Sequence, residues 1–307
     1  MTFKKIIFFN QFHNGDCFVN KTYVDEIVRI LEESNPALEF VYAHNNHPDI
    51  IKDIQNVTFL KCDQIKQVDR MMRIGQSQEG DILYINTWVG CWQGQMFPFG
   101  QHSNFKVIHN IWREYFTYLD IKKYFVEDQD YYLPSINFNK FDMDIAKAFL
   151  YQHLNKKFVL FCNGSANSGQ SDMGDLKHSI GHVAAKYPDW DIVCTAPTSL
   201  TAPNIIYTKD IFGLENDLNQ IAYISNKAQL IIGKNSGPFS YSQHKDNLLD
   251  PNVKFLNFSK LATDCPSGGS MYPARCYFSN VTDPNRATEI IFKILEQPNL
   301  YGTEHII

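Results

Sequence analysis

The chain has 307 residues, of which 44% are hydrophobic and 20% charged, with a formal net charge of −5. That length predicts two globular domains with cores large enough to need no covalent staples, and the negative balance argues against a nucleic-acid binder, which needs a basic face to neutralise phosphates. The seven cysteines are scattered, with no C-x-x-C pair. They read as reduced, buried thiols of a cytoplasmic protein rather than a disulfide framework or a zinc site. No stretch approaches the roughly 18 apolar residues of a membrane span, and Ile6-Ile7-Phe8-Phe9 is too short for a signal-peptide core.

Lys4 to Asn10 is an apolar run of the kind found in buried parallel strands. The turn Gln11-Phe12-His13-Asn14-Gly15-Asp16 follows, and helical spacing of Val19, Tyr23, Ile27, Ile30 and Leu31 predicts a helix from Cys17 to Glu33, stopped by Asn35-Pro36. Leu38 to Ala43, Val57 to Leu60 and Asp81 to Asn86 are the next predicted strands. Val89 to Asn104, rich in Gly, Gln and aromatics, is predicted to be a loop. Val107 to Tyr118 is predicted to be helical, and Tyr131 to Asp144 to be a connection. A second series has strands at Phe158–Cys162, Asp191–Thr195, Asn204–Tyr207, Gln229–Gly233 and Val253–Phe258. Its helices are predicted at Leu176–Lys186, Asn216–Lys227 and Arg286–Glu296. Strands alternating with helices imply parallel sheets, so the expected class is α/β with two Rossmann-like halves, 1–150 and 151–307.

In open parallel sheets ligands bind beyond the carboxyl ends of the strands, and three turns meet that condition. In His13-Asn14-Gly15-Asp16, Asp16 is either a helix N-cap or a general base that takes a proton from an acceptor hydroxyl; His13 is the competing base. Asn163-Gly164-Ser165 is a small-residue loop whose amides suit a phosphate, or an ordinary connection. It matches neither G-x-x-x-x-G-K-[ST] nor G-x-G-x-x-G. Asn235-Ser236-Gly237-Pro238 follows an apolar strand and opens a helix, which favours a pyrophosphate there. Lys234 either adds charge or faces solvent.

Other patterns have plain structural alternatives. Asp128-Gln129-Asp130, Asp142-Met143-Asp144 and Asp189-Trp190-Asp191 are D-x-D runs, yet none follows an apolar strand, so a metal-binding pair is not expected. His44, His47 and Asp49 read as a polar surface loop rather than a metal site. His109 and Arg113 lie on one helical face. Arg113 either pairs with a phosphate or an acceptor carboxylate or makes a structural ion pair. No G-x-S-x-G is present.

These motifs, in this order, resemble the heptosyltransferase family (glycosyltransferase family 9) and its GT-B relatives. The family opens with a strand and a turn ending in Gly-Asp, as Gly15-Asp16 does here, and its Asp is the proposed catalytic base. Its Ser/Thr-Gly amides hold the donor phosphates, which implies that role for Ser236 and Gly237. The loop Asn163 to Ser165 resembles its phosphate-contacting loop. The turn Phe212-Gly213-Leu214 matches the segment against which the nucleotide base packs. The chain departs from the pattern in three places: Asn235 stands where the family has an acidic residue, Ser240 where it has a His, and Ser168 to Ser171 lacks its donor-loop lysine.

The resemblance implies GT-B architecture, two Rossmann-like domains with a cleft between them. The first is expected to be acceptor-side, with Asn14, Gly15, Trp88, His109 and Arg113, and the second to bind the nucleotide-sugar. It further implies an inverting, metal-independent glycosyltransferase with a nucleotide-sugar co-substrate and no other cofactor. The expected acceptor is a carbohydrate, free or lipid-linked, met in the cytoplasm or at the inner face of a membrane. The rival readings are a nucleotide-sugar epimerase or hydrolase, and a non-catalytic nucleotide-sugar-binding relative, the latter motivated by Asn235.

Overall fold

A computed structural model describes residues 3–45, 48–65, 69, 71–88, 90, 104–166, 169–213, 217–260, 272–297 and 300. They fall into two compact units. One comprises the described residues up to 90 with Phe105–Lys140, the other Asn104 and the described residues from Phe141 onward.

The first unit contains β1 (Lys5–Asn10), α1 (Asn14–Ser34), β2 (Glu39–His44), β3 (Thr58–Leu60), β4 (Ile74–Gln76), β5 (Ile82–Asn86) and α2 (Asn104–Tyr118). The sheet order is β3-β2-β1-β5-β4. All pairings are parallel except β4 with β5. Ile6 to Phe9 are all buried, as expected of a central strand covered on both faces. Tyr23 of α1 stacks on Trp112 of α2 at 5.3 Å and on Tyr132 at 4.2 Å between ring centroids. A buried ion pair, Lys21 to Asp53, ties α1 to the turn before β3, and Asp53 also accepts the Asn137 N–H at 2.9 Å.

The second unit contains α3 (Asp144–Gln152), β6 (Phe158–Cys162), α4 (Lys177–Lys186), β7 (Asp191–Cys194), β8 (Ile205–Tyr207), α5 (Thr208–Phe212), α6 (Leu218–Ser225) and β9 (Leu230–Gly233). It continues through α7 (Gly237–Ser242), α8 (Lys245–Leu249), β10 (Lys254–Phe258), β11 (Arg275–Ser279) and α9 (Pro284–Glu296). The order is β11-β10-β9-β6-β7-β8, all parallel. Ile180 and Val183 of α4 and Ile290, Ile291 and Ile294 of α9 pack with Val159, Phe161, Leu230 and Ile232 in one apolar core. α3 packs against α5 and α6.

Each sheet begins near its middle and builds outward in both directions. β1 lies between β2 and β5, and β6 between β7 and β9. The gaps β1/β5 and β6/β9 are therefore topological switch points, where loops leaving neighbouring strand ends diverge to opposite faces and open a crevice. At these gaps Phe9 pairs with Asn86, and Cys162 with Gly233.

Three features differ from the expectations. α1 starts at Asn14 rather than Cys17, so the cap position belongs to His13, not Asp16. Short elements with little periodicity, namely β4, α3, α5, α8 and β11, were not anticipated, whereas α7 opens at Gly237 as expected. The segment 131–144, expected to be a connection, is partly organised into 3-10 turns at 129–132 and 138–140. The described cysteines, Cys17, Cys62, Cys162, Cys194 and Cys276, are free and buried, while Cys91 and Cys265 lie outside the described residues. Among the described residues no helix is long and apolar enough to cross a membrane.

Candidate functional site

At the first switch point β1 ends in Asn10, which is fully buried. Its side-chain oxygen accepts the N–H groups of Phe12 (2.8 Å) and His13 (3.2 Å), forming the turn that launches α1. Its backbone carbonyl accepts from His44 Nδ1 at 2.6 Å, and His44 Nε2 meets the side-chain oxygen of Asn14 at 2.7 Å. Asn14, Gly15 and Asp16 form the first turn of α1.

Asp16 keeps a partly exposed edge but is hemmed in by protein. Desolvation raises its carboxyl from 3.8 to about 7. Among the described residues no donor pairs with the carboxylate, and the N-cap alternative does not apply because no side chain caps α1. A carboxyl poised near neutrality in an open turn is suited to general-base work. His13 is exposed, and partial burial lowers its pKa.

The opposite side of this crevice is the end of β5. Thr87 donates its N–H to the Phe9 carbonyl at 2.9 Å. Trp88 donates its N–H to Asn86 Oδ1 at 2.9 Å and packs against Phe12, ring centroids 4.2 Å apart and planes tilted by 36°. Gly90 lies so close that a Cβ there would sit 2.3 Å from the indole. Phe12, His13 and Trp88 thus gather beside the turn that carries Asp16 and form an aromatic face. The rest of the expected loop, 89 and 91–99, lies outside the described residues.

His109 and Arg113 are engaged within the unit. His109 is buried, with Nδ1 on the Tyr23 hydroxyl (3.2 Å) and Nε2 on the Glu127 carbonyl (3.1 Å), and burial lowers its pKa. Arg113 pairs with the Glu127 carboxylate and lies over the Phe125 ring at 5.8 Å. This is the structural ion pair named as the alternative for Arg113.

At the second switch point Asn163 follows β6. Its amide forms a reciprocal pair with the Ala196 backbone, Nδ2 to the carbonyl at 2.8 Å and Oδ1 from the N–H at 2.9 Å. This side chain joins two strand-end loops, so the ligand-facing part of the loop is left to Gly164 and the exposed Ser165. After β9, Lys234 is buried and donates to the Gly174 carbonyl at 2.9 Å; desolvation lowers its pKa. The solvent-facing alternative for Lys234 is therefore not the one adopted.

Asn235 takes a left-handed conformation at φ 56°, which Asn tolerates better than most side chains. Its Oδ1 accepts from Asn257 Nδ2 at 2.9 Å. Ser236 caps α7 and is buried, its hydroxyl without a partner among the described residues, and Gly237 and Pro238 open the helix. Phe212 ends α5 and is buried, and Gly213 is its left-handed cap at φ 72°; Leu214 lies outside the described residues.

Beyond β10 and β11 a cavity of about 240 Å³ is lined by Ser171, Asp172, Phe258, Ser259, Lys260 and Asn280, among others. Lys260 pairs with Asp172 at 3.0 Å, and Ser259 donates to the Gln170 carbonyl at 2.9 Å. Asn257 and Ser259, like Asn10, His44 and Asn20, were missed as site residues. The available signal was an apolar strand closing on a polar residue, since Asn10, His44 and Asn86 are buried last residues of their strands and Asn257 is buried one residue before the end of β10.

The D-x-D carboxylates serve local structure. Asp128 and Asp142 accept the N–H groups of Asp130 (3.0 Å) and Asp144 (3.1 Å), while buried Asp191 takes His153 and Lys156. His47 and the Asp49 side chain lie outside the description. Among the described residues no group of three His, Cys, Asp or Glu is placed to hold a metal.

No protein-family model matches the sequence, and no curated protein matches it either. Solved structures do resemble it. A glycosyltransferase family 9 protein from Veillonella parvula aligns with a TM-score of 0.52 at 12% identity, over 99% of this chain and 93% of that one. The E. coli heptosyltransferase WaaC, solved with ADP-2-deoxy-2-fluoro heptose, aligns at 0.50 and 9% identity, over 96% and 99%. A UDP-GlcNAc 2-epimerase from Neisseria meningitidis gives 0.47 at 11% identity, over 99% and 94%. The likeness to the first two is one of fold along nearly the whole chain, and the fold is GT-B.

Proposed function

We propose that this protein is a glycosyltransferase that moves a sugar from a nucleotide-sugar donor to a carbohydrate acceptor, inverting the anomeric centre without a metal. The observation that carries the reading is Asp16, a carboxyl with no donor among the described residues, raised to about 7 at the β1/β5 switch point. Asp16 takes the proton of an acceptor hydroxyl; that oxygen bonds to the anomeric carbon as the bond from carbon to the diphosphate oxygen breaks. The products are the glycoside and the nucleoside diphosphate. His13 is the alternative base in the same turn.

The acceptor, free or lipid-linked, is assigned to the first unit, where Phe12 and Trp88 offer an aromatic face, with Asn14 and Gly15 in the reactive turn. The donor is assigned to the second unit. Its diphosphate is proposed to meet Gly164 and Ser165 and the amides that open α7 after Asn235, at Ser236 and Gly237, since the first N–H groups of a helix have no intrahelical partner. Pro238 removes one donor but fixes the helix start. Phe212 and Gly213 are the assigned nucleotide-base contacts. Fixed N–H donors stabilise the leaving diphosphate electrostatically.

The experiment is donor consumption measured with and without a set of glycan acceptors, for the native protein and Asp16→Ala. Acceptor-dependent release of nucleoside diphosphate, abolished in Asp16→Ala with donor binding retained, supports transfer. Consumption without any acceptor moves the assignment to an epimerase or hydrolase. Binding with no turnover moves it to a non-catalytic relative, the reading that Asn235 in place of an acidic residue favours.

A further inference from the structure

We propose that His44 is the positioning residue of the reactive turn: its two hydrogen bonds, to the Asn10 carbonyl and to the Asn14 side chain, set where α1 presents Asp16. This rests on the assignment of Asp16 above.

His44 closes β2 and is completely buried. Buried polar groups are held by hydrogen bonds, and both ring nitrogens are used here, Nδ1 at 2.6 Å and Nε2 at 2.7 Å. The partner of Nδ1 is a carbonyl, so Nδ1 carries the proton, and Nε2, then an acceptor, is served by the Asn14 amide with its nitrogen turned toward the ring. The two partners lie at the two ends of one turn. Asn10 ends β1 and, through its side-chain oxygen, fixes the N–H groups of Phe12 and His13. Asn14 is the first residue of α1. One rigid imidazole therefore spans the whole strand-to-helix junction, from an adjacent strand in register with β1, where Asn10 pairs with His44.

Asn20 ties the Asp16 carbonyl to the loop after β5, and His44 fixes the residue at the start of that turn, Asn14. Gly15 is conformationally permissive, and no side chain caps the helix. Remove the imidazole, and the first residue of α1 loses its bond to β2. A general base displaced by about 1 Å loses roughly 10²-fold in rate. His44 touches neither substrate nor the reacting atoms in this scheme; it acts through Asn10 and Asn14.

The test uses the full chain in four variants: His44→Ala, His44→Asn, His44→Gln and Asn14→Ala. The Asn amide nitrogen stands near Nδ1 and keeps the bond to Asn10; the Gln amide reaches toward Nε2 and keeps the bond to Asn14. The expected result is a kcat lower by about 10- to 100-fold in His44→Ala, with donor KM within about threefold. His44→Asn and His44→Gln should each recover part of the loss. Asn14→Ala should lower kcat as well, and combining it with His44→Ala should cost less than the product of the two single losses. The Asp16 carboxyl titration, followed by carbon NMR, should shift in His44→Ala; it reads positioning without any turnover. Unchanged kcat and unchanged Asp16 titration in a folded His44→Ala overturn the proposal, as do strictly multiplicative losses. If His44→Ala does not fold, His44→Asn and His44→Gln carry the same comparison. Should native protein show no transfer at all, the glycosyltransferase reading fails, while the Asp16 titration still decides the role of His44.

Discussion

The backbone carbonyls of Asp16 and Thr87 are bridged by one side-chain amide: Asn20 Nδ2 donates to Asp16 at 2.6 Å and to Thr87 at 2.9 Å. The first turn of α1 and the loop leaving β5 are thereby held as one piece, and the Asn20 oxygen accepts the Trp112 indole N–H in addition. Asn20→Ala should strand two carbonyls and the indole N–H in the interior. The expected loss is about 2–4 kcal/mol of unfolding free energy, read by urea denaturation, with transfer activity falling further than stability alone explains.

Asp16 should trade stability for function. Its carboxyl binds a proton more tightly when folded, about 7, than in the unfolded chain, near 3.8. Ionisation therefore costs the folded state. The native protein should lose stability as pH rises from about 4 toward about 7. The linkage bound is about 4 kcal/mol, and the partly exposed edge of Asp16 reduces it to about 1–2 kcal/mol. Asp16→Asn should thus raise Tm relative to native at pH 8, with little gain at pH 4, while abolishing transfer. A gain of equal size at both pH values would contradict the raised carboxyl.

Gly233 and Gly237 should respond unequally to alanine. A Cβ at Gly233 would lie 2.3 Å from the Phe239 ring, whereas the nearest atom to one at Gly237 is Leu218 Cδ2 at 3.5 Å. Gly233→Ala should destabilise by about 1–3 kcal/mol through overpacking, and Gly237→Ala by under about 1 kcal/mol. Thermal melts of the two variants check this directly.

Trp88 should act on the acceptor alone. Trp88→Ala removes the ring packed against Phe12 and should raise the acceptor KM about tenfold, close to what one aromatic contact contributes. Donor affinity, measured by calorimetry, should be unchanged.

The long central strands and the amphipathic helices were legible because burial writes itself as apolar runs and helical spacing. Phe158 to Cys162 and the face Ala287, Ile290, Ile291 and Ile294 are examples. β4 was not, since three partly exposed residues joined antiparallel to β5 carry no period. The early start of α1 escaped notice because Asn14 and Gly15 are poor helix formers that only tertiary bonds from His44 and Asn10 hold in place. The turns around Asp16 and Ser236 could be found from their strand-turn-helix setting. His44, Asn20 and Asn257 could not, because each acts through a partner far away in sequence. Lys234 and Asn163 have the right address, yet their side chains are committed to Gly174 and Ala196.

The central claim is most directly tested by calorimetric titration of the native protein with UDP-, GDP-, ADP- and dTDP-linked sugars, each with and without EDTA. The account predicts saturable binding of one donor, unchanged by EDTA and retained in Asp16→Ala. No binding to any of them, or binding that requires a divalent metal, would contradict it.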